Sequence, residues 1–112
     1  AEGANTIASG YHSHAEGDET IAQTLSQHVE GAYNIPDSGG SVSRYGKYLH
    51  IAGNGSNLAR SNAYTLDWDG NGWFAGTIEG TAMILKSSTP NSTKRFKITV
   101  DDSGAISTTE IN

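Results

Sequence analysis

The chain has 112 residues, 35% of them hydrophobic, with fourteen glycines, no cysteine and a net charge of −5. That apolar share lies below the roughly 45–50% of an ordinary globular domain, so a single copy buries little apolar surface and oligomerisation is the natural remedy. The missing cysteines exclude a disulfide framework and a thiolate zinc site; residues 1–43 hold six acids and no Lys or Arg, which excludes a phosphate-binding, nucleic-acid role for this half.

The opening is repetitive. Residues 1–14 and 15–28 share seven positions: Ala1/Ala15, Glu2/Glu16, Gly3/Gly17, Thr6/Thr20, Ile7/Ile21, Ala8/Ala22 and His14/His28. A third block begins with Glu30-Gly31 and reaches Ile35 in phase, and a further His-x-x-Gly stands at His50 to Gly53, 22 residues after His28. That turn of the repeat therefore carries an insertion of about eight residues (22 − 14). A period this short, built on Ala, Gly, Ser and Thr, reads as the stacked coils of a parallel β-solenoid. The strict period and nine aromatic residues argue against disorder. The chain starts inside a repeat without an initiating Met, and is read as the C-terminal piece of something longer.

Fourteen residues leave room for two short strands and two bends per coil. The expected strands are residues 6–9 and 12–15, with Gly3, Gly10 and Gly17 where the backbone turns or meets a neighbour closely. Alternation places Ser13, Ala15 and Gly17 on the inner face and His12, His14 and Glu16 on the outer one. Ile7, Ile21 and Ile35 are expected to stack as a buried ladder.

Residues 36–48 are turn-rich and aperiodic, and read as a loop inserted near 36–44 that protrudes from the roll. Binding often lives on loops held by a rigid scaffold, which makes Arg44 and Tyr45 candidate contacts; a plain insertion that closes the last coil accounts for the same residues. Residues 54–80 hold most of the aromatic mass. Tyr64 to Trp68 and Gly72 to Gly76 read as two strands around Asp69-Gly-Asn-Gly72, a strong hairpin signal. Trp68 and Trp73 flank that turn and are expected close together and buried, closing the end of the roll. The alternative is an exposed aromatic platform for a glycan, using Trp68, Trp73, Tyr64, Asp69 and Asn71. Residues 81–112 alternate as strands, with Phe96, Ile98 and Val100 on one face and Arg95, Lys97 and Thr99 on the other. Asp101 to Gly104 turns the chain into a returning strand, and residues 82–88 supply a third strand. No helix is expected. The longest plainly apolar run, Ala82 to Leu85, is too short to span a membrane.

The pattern "AEG…TIASGY…HAEG…TIA" resembles the head repeats of trimeric autotransporter adhesins, and more closely the repeat-bearing tail-fibre or minor structural proteins of phages and prophages of Gram-positive bacteria. "ARSNAYTLDWDGNGWFAG" (Ala59 to Gly76) is similar to a segment that follows such repeats in the phage proteins, and "LKSSTPNSTKRFKITVDDSGAIS" (Leu85 to Ser107) resembles their ending. Gln23 and Thr24, standing where the first repeat has Ser9-Gly10, and Ala52, standing where earlier blocks have Glu, depart from the pattern. The resemblance implies an all-β fold: a left-handed parallel β-roll over 1–53, a transition hairpin over 54–80 and a C-terminal β module over 81–112, in an elongated homotrimer. It implies a structural and adhesive role in host attachment, at the virion tail or otherwise outside the cell. The partners would be other copies of the chain and a bacterial surface glycan or protein, without membrane insertion. A bacterial surface adhesin head is the close alternative; such proteins also carry a membrane-anchoring barrel, for which these residues hold no pattern. A second alternative is the non-catalytic part of a trimeric glycan-degrading phage enzyme.

Three features of the sequence suggest other chemistry. Asp67-Trp-Asp69-Gly-Asn71-Gly72 matches the first half of a calcium loop, but the position of the bidentate Glu is Ile78, and a hairpin turn explains the same residues. His12 and His14 would place six imidazoles near a trimer axis, a plausible metal site. The repeat equivalent of His12 is Ser26, however, so a structural hydrogen-bonding role is expected, with no metal and no cofactor. The Glu2/Glu16/Glu30 ladder is evenly spaced and does not set an acid apart from a base, and no nucleophile or phosphate motif is present. The expectation is a protein that is not an enzyme.

Overall fold

The computed structural model describes residues 1–37 and 46–112. It is all-β, with no helix among those residues. Two compact units make up the chain, Ala1–Thr77 and Ile78–Asn112.

In the first unit the strands are β1 (Glu2–Ala4), β2 (Ile7–Ala8), β3 (His14–Asp18), β4 (Ile21–Ala22), β5 (His28–Ala32), β6 (Tyr48–Asn54), β7 (Asn62–Asp67) and β8 (Gly72–Phe74). Six of them form one sheet in the order β1-β3-β5-β6-β7-β8, and β2 pairs with β4 in a second. The first four strands of the large sheet run parallel, and β7 and then β8 each pair antiparallel with the strand before. Register follows the repeat: Glu2 faces Glu16, Ile7 faces Ile21 and His14 faces His28. His28 then faces His50, so the insertion between them leaves the ladder in phase.

The corners explain how so short a period closes. Asn5, Glu19 and Tyr33, fourteen residues apart, have φ of 54°, 54° and 43°, and His12 and Ser26 have 59° and 55°. Left-handed backbone costs a non-glycine residue roughly 1–2 kcal/mol. Corner amides offset that cost by bonding to the repeat before: Glu19 N–H donates to Ala4 O (2.8 Å), Ser26 N–H to Tyr11 O (2.8 Å) and Tyr33 N–H to Asp18 O (2.9 Å). Gly3, Gly17 and Gly31 stack where no side chain fits; a Cβ on Gly17 would stand 2.0 Å from Gly31 O.

Ala15, Ala22, Val29 and Ile51 are fully buried between the two ladders, beside Thr20, Gln27 and Asn34. The buried polar groups replace missing strand partners. Asn34 Oδ1 accepts from Ile21 N–H (2.8 Å) and its amide donates to Ile21 O (3.1 Å), standing in for a further strand. Asn62 does the same for Ile35, accepting its N–H at 2.8 Å. Gln27 donates to Asp37 Oδ2 and Tyr48 O, and Asp37 Oδ2 also accepts the N–H groups of Lys47 and Tyr48.

Two sequence expectations are corrected here. The isoleucines do stack, Ile7 on Ile21, but they face out: Ile7 and Ile35 are 51% and 50% exposed. The inner position of each two-residue strand goes to Ala8 or Ala22, because the gap between ladders is narrow. The second strand of the repeat starts at His14 and not at residue 12, since His12 is itself a left-handed corner.

The second unit is a three-stranded antiparallel sheet of β9 (Met83–Lys86), β10 (Arg95–Val100) and β11 (Ile106–Ile111), ordered β11-β10-β9. Phe96 faces Leu85, Ile98 faces Met83 and Val100 faces Ile106, so one face is mainly apolar, with Thr108 and Glu110 completing it on β11. None of its residues is buried.

Candidate functional site

The outer face of the large sheet carries a continuous column of rings. His14 and His28 stack with centroids 5.0 Å apart and planes 8° from parallel. His28 meets His50 at 5.1 Å, His50 meets Tyr64 edge-on at 5.4 Å, and Tyr64 meets Phe74 at 5.0 Å. Parallel in-register strands lie ~4.8 Å apart, so identical residues must meet ring on ring. The glutamates of the next row interleave with the imidazoles. His14 Nε2 lies 3.6 Å from Glu2 and 4.0 Å from Glu16, His28 Nε2 lies 3.5 Å from Glu16, and His50 Nε2 lies 3.6 Å from Glu30. The Nε2 atoms of His28 and His50 are shut off from solvent without a hydrogen-bond partner. Beside these two nitrogens stand a neighbouring ring and a glutamate oxygen at 3.5 or 3.6 Å. His12 stands apart from the column, at its corner beside Tyr11.

The inner row reads Ala15, Val29, Ile51, Thr65 and then Trp73 by register. The β2–β4 ladder has no strand beneath β8, and Trp73 remains 53% exposed. Around it opens a cavity of about 620 Å³, lined by Trp73, Asn71, Asp67, Tyr48 and Asn62 among others. The structure thus brings Trp73 and Asn71 together. Tyr64 goes instead to the opposite face, within the ring column. Trp68 lies in the hairpin loop, 40% exposed, and the residue across the ladder from Trp73 is Thr65. Within this chain neither tryptophan is buried and the two are not cross-strand partners, contrary to expectation. Arg44 and Tyr45 lie outside the described residues.

Asp69 and Asn71 serve the hairpin itself. The Asp67 carboxylate accepts the backbone N–H groups of Asp69 (3.0 Å) and Asn71 (2.8 Å) and the Asn71 side-chain amide (3.1 Å). These donors, Asn71 foremost, lower its pKa below the usual 3.8. Asp101 repeats the arrangement with Ser103 and Ala105, and Ser103 lowers its pKa most. In both loops a glycine three residues on, Gly70 or Gly104, holds φ near +85° or +83°, as a type I turn followed by a left-handed residue requires. The acidic run at 67–71 is thereby accounted for as a hairpin.

Tyr48, Phe74 and Asn62 were not foreseen as members of these surfaces. Phe74 was legible in principle, since a hairpin centred on Asp69 sets it opposite Tyr64. Comparison with family models, curated proteins and solved structures finds no match for this chain.

Proposed function

We propose that this chain is a structural and adhesive segment of a phage or prophage tail fibre, in which the repeats form a left-handed β-roll and three copies associate. The observation that carries the reading is the uncovered column of Ile7 and Ile35 on a unit whose repeats are otherwise paired strand for strand. Apolar ladders of this kind call for burial against other copies of themselves. The exposed apolar face of Met83, Leu85, Val100 and Ile106 supports the same reading from the second unit. Attachment would fall to the open end of the first unit, where Trp73 offers a ring face and Asn71 an amide beside one cavity. A ring face with adjacent amides suits a sugar ring.

Native mass spectrometry of the chain, with binding to cell-wall glycans of Gram-positive bacteria, tests the reading. A mass near three times 11.8 kDa is expected, together with glycan retention that Trp73→Ala abolishes. A folded monomer would end the architecture; a trimer that binds no glycan would leave a structural stem without adhesion. A bacterial surface adhesin head is the second reading, and binding to animal-cell matrix in place of bacterial glycans would favour it.

A further inference from the structure

We propose that His14, Glu16 and His28 form a binding site for a divalent first-row transition metal, with Zn²⁺ as the probe ion. The three residues each present a ligand atom, and these atoms all lie within 4.8 Å of one another. Their placement follows from the repeat. His14 and His28 occupy the same position on adjacent parallel strands, and Glu16, two residues beyond His14, points to the same face.

The distances fit an ion better than they fit hydrogen bonds. One carboxylate straddles both nitrogens, 4.0 Å from His14 Nε2 and 3.5 Å from His28 Nε2. Hydrogen bonds to a carboxylate span about 2.7–3.2 Å. Ligands held ~2.0–2.1 Å from one tetrahedral zinc stand about 3.4 Å from each other. The second observation is His28 Nε2 itself, closed to solvent and without a hydrogen-bond partner. A turn of each ring about its Cβ–Cγ bond brings the lone pairs, now in nearly parallel planes, toward one point.

Two imidazoles and one carboxylate are the donor set that zinc, copper and nickel share, and they leave a position for water. The side chains of His14 and Glu16 are 45% and 37% exposed, which gives the ion an entry path. Neighbouring sets offer less. Glu2 has one imidazole within reach, and at His50 the adjacent ring is tilted by 41° and the next row holds Ala52 where earlier repeats hold Glu.

Isothermal titration of the tag-free chain with ZnCl₂, in a non-chelating buffer near neutral pH, tests this directly. One ion per chain is expected, with the affinity falling about tenfold to a hundredfold or more in His28→Gln and in Glu16→Gln. His12→Ala, outside the cluster, should bind as the parent does. Copper loaded into the unaltered chain should show two nitrogen couplings by electron paramagnetic resonance, a readout that needs no variant to fold. Absence of binding at millimolar zinc, parental affinity retained in either cluster variant, a loss in His12→Ala equal to theirs, or a copper signal without two nitrogens would each overturn the proposal. None of these outcomes depends on whether the chain attaches to a host.

Discussion

The two units solve the shortage of apolar residues in opposite ways. The first makes its interior thin: Ala15, Ala22, Val29 and Ile51 fill it, and the buried Asn34, Gln27 and Thr20 side chains bond to backbone groups. The second has the richer apolar alternation and buries nothing, leaving Val100 and Ile106 at 62% and 71% exposure. Apolar content therefore does not decide which unit holds its own core. Geometry does: two ladders facing each other enclose a space, whereas a lone three-stranded sheet has only faces. The apolar face of such a sheet is buried only when another surface packs against it.

The sharpest way to break this contrast is a methyl group in the glycine column. Gly17→Ala puts a Cβ 2.0 Å from a backbone oxygen at φ +109°, with nothing flexible to yield. A loss of more than about 4 kcal/mol is expected. Gly104→Ala in the second unit, at φ +83° with open space around it, should cost only the left-handed strain of roughly 1–2 kcal/mol. Urea unfolding followed by circular dichroism measures the two, and equal losses would show that close stacking does not govern the first unit.

Next in size is Ile51→Ala, which removes the largest fully buried side chain and should cost about 2–5 kcal/mol. Its counterpart is Ile106→Ser. If other copies cover the second unit's apolar face, that change costs about 1–3 kcal/mol by lost burial and yields a smaller particle by light scattering. An unchanged mass with stability inside ~0.5 kcal/mol would make the face ordinary surface.

Asn34→Ala tests the polar interior. Leaving Ile21 N–H without its acceptor should cost about 1–3 kcal/mol, whereas Asn62→Ala, which frees the N–H of the exposed Ile35 to water, should cost less. Reversal of that order would mean that edge capping matters more at the end of the stack than within it.

The smallest effect is a pH dependence common to the two units. Asp67 and Asp101 have folded pKa values lowered from 3.8, so the unfolded chain takes up protons first. Their contribution is complete above pH 3.8 and is lost as pH falls through the lowered folded values. Thermal unfolding between about pH 5 and pH 2 should show that decline, flattened in part by Asp67→Asn and in part by Asp101→Asn. A decline unaltered in either variant would assign it to other carboxylates.

Stacking was legible in the sequence because identical residues at fixed spacing must meet, as His14 meets His28. Facing was not legible where strands are two residues long. Ile7 and Ala8 offer no alternation to read, and bulk suggested the wrong one for the interior. His12 misled for a related reason: period-two reasoning assumes strand backbone, and its φ of 59° breaks the strand there. The hairpin loops were legible from Asp-x-x-Gly, and so were the three strands of the second unit. The exposure of Trp73 was not, because it depends on where the short ladder stops, and nothing in residues 62–76 encodes that.

The left-handed corners have a bearing on descent. Because each corner recurs after fourteen residues with nearly the same φ, a segment of that length can be duplicated or excised without altering the joints on either side. Each event would lengthen or shorten the ladder by one strand spacing of ~4.8 Å. Gains and losses of other lengths would throw every later corner out of phase, unless they fell between β5 and β6, where an extra stretch already sits without disturbing the pairing of His28 with His50. Reach could thus drift among relatives in quantised steps, with novelty channelled into one tolerated gap.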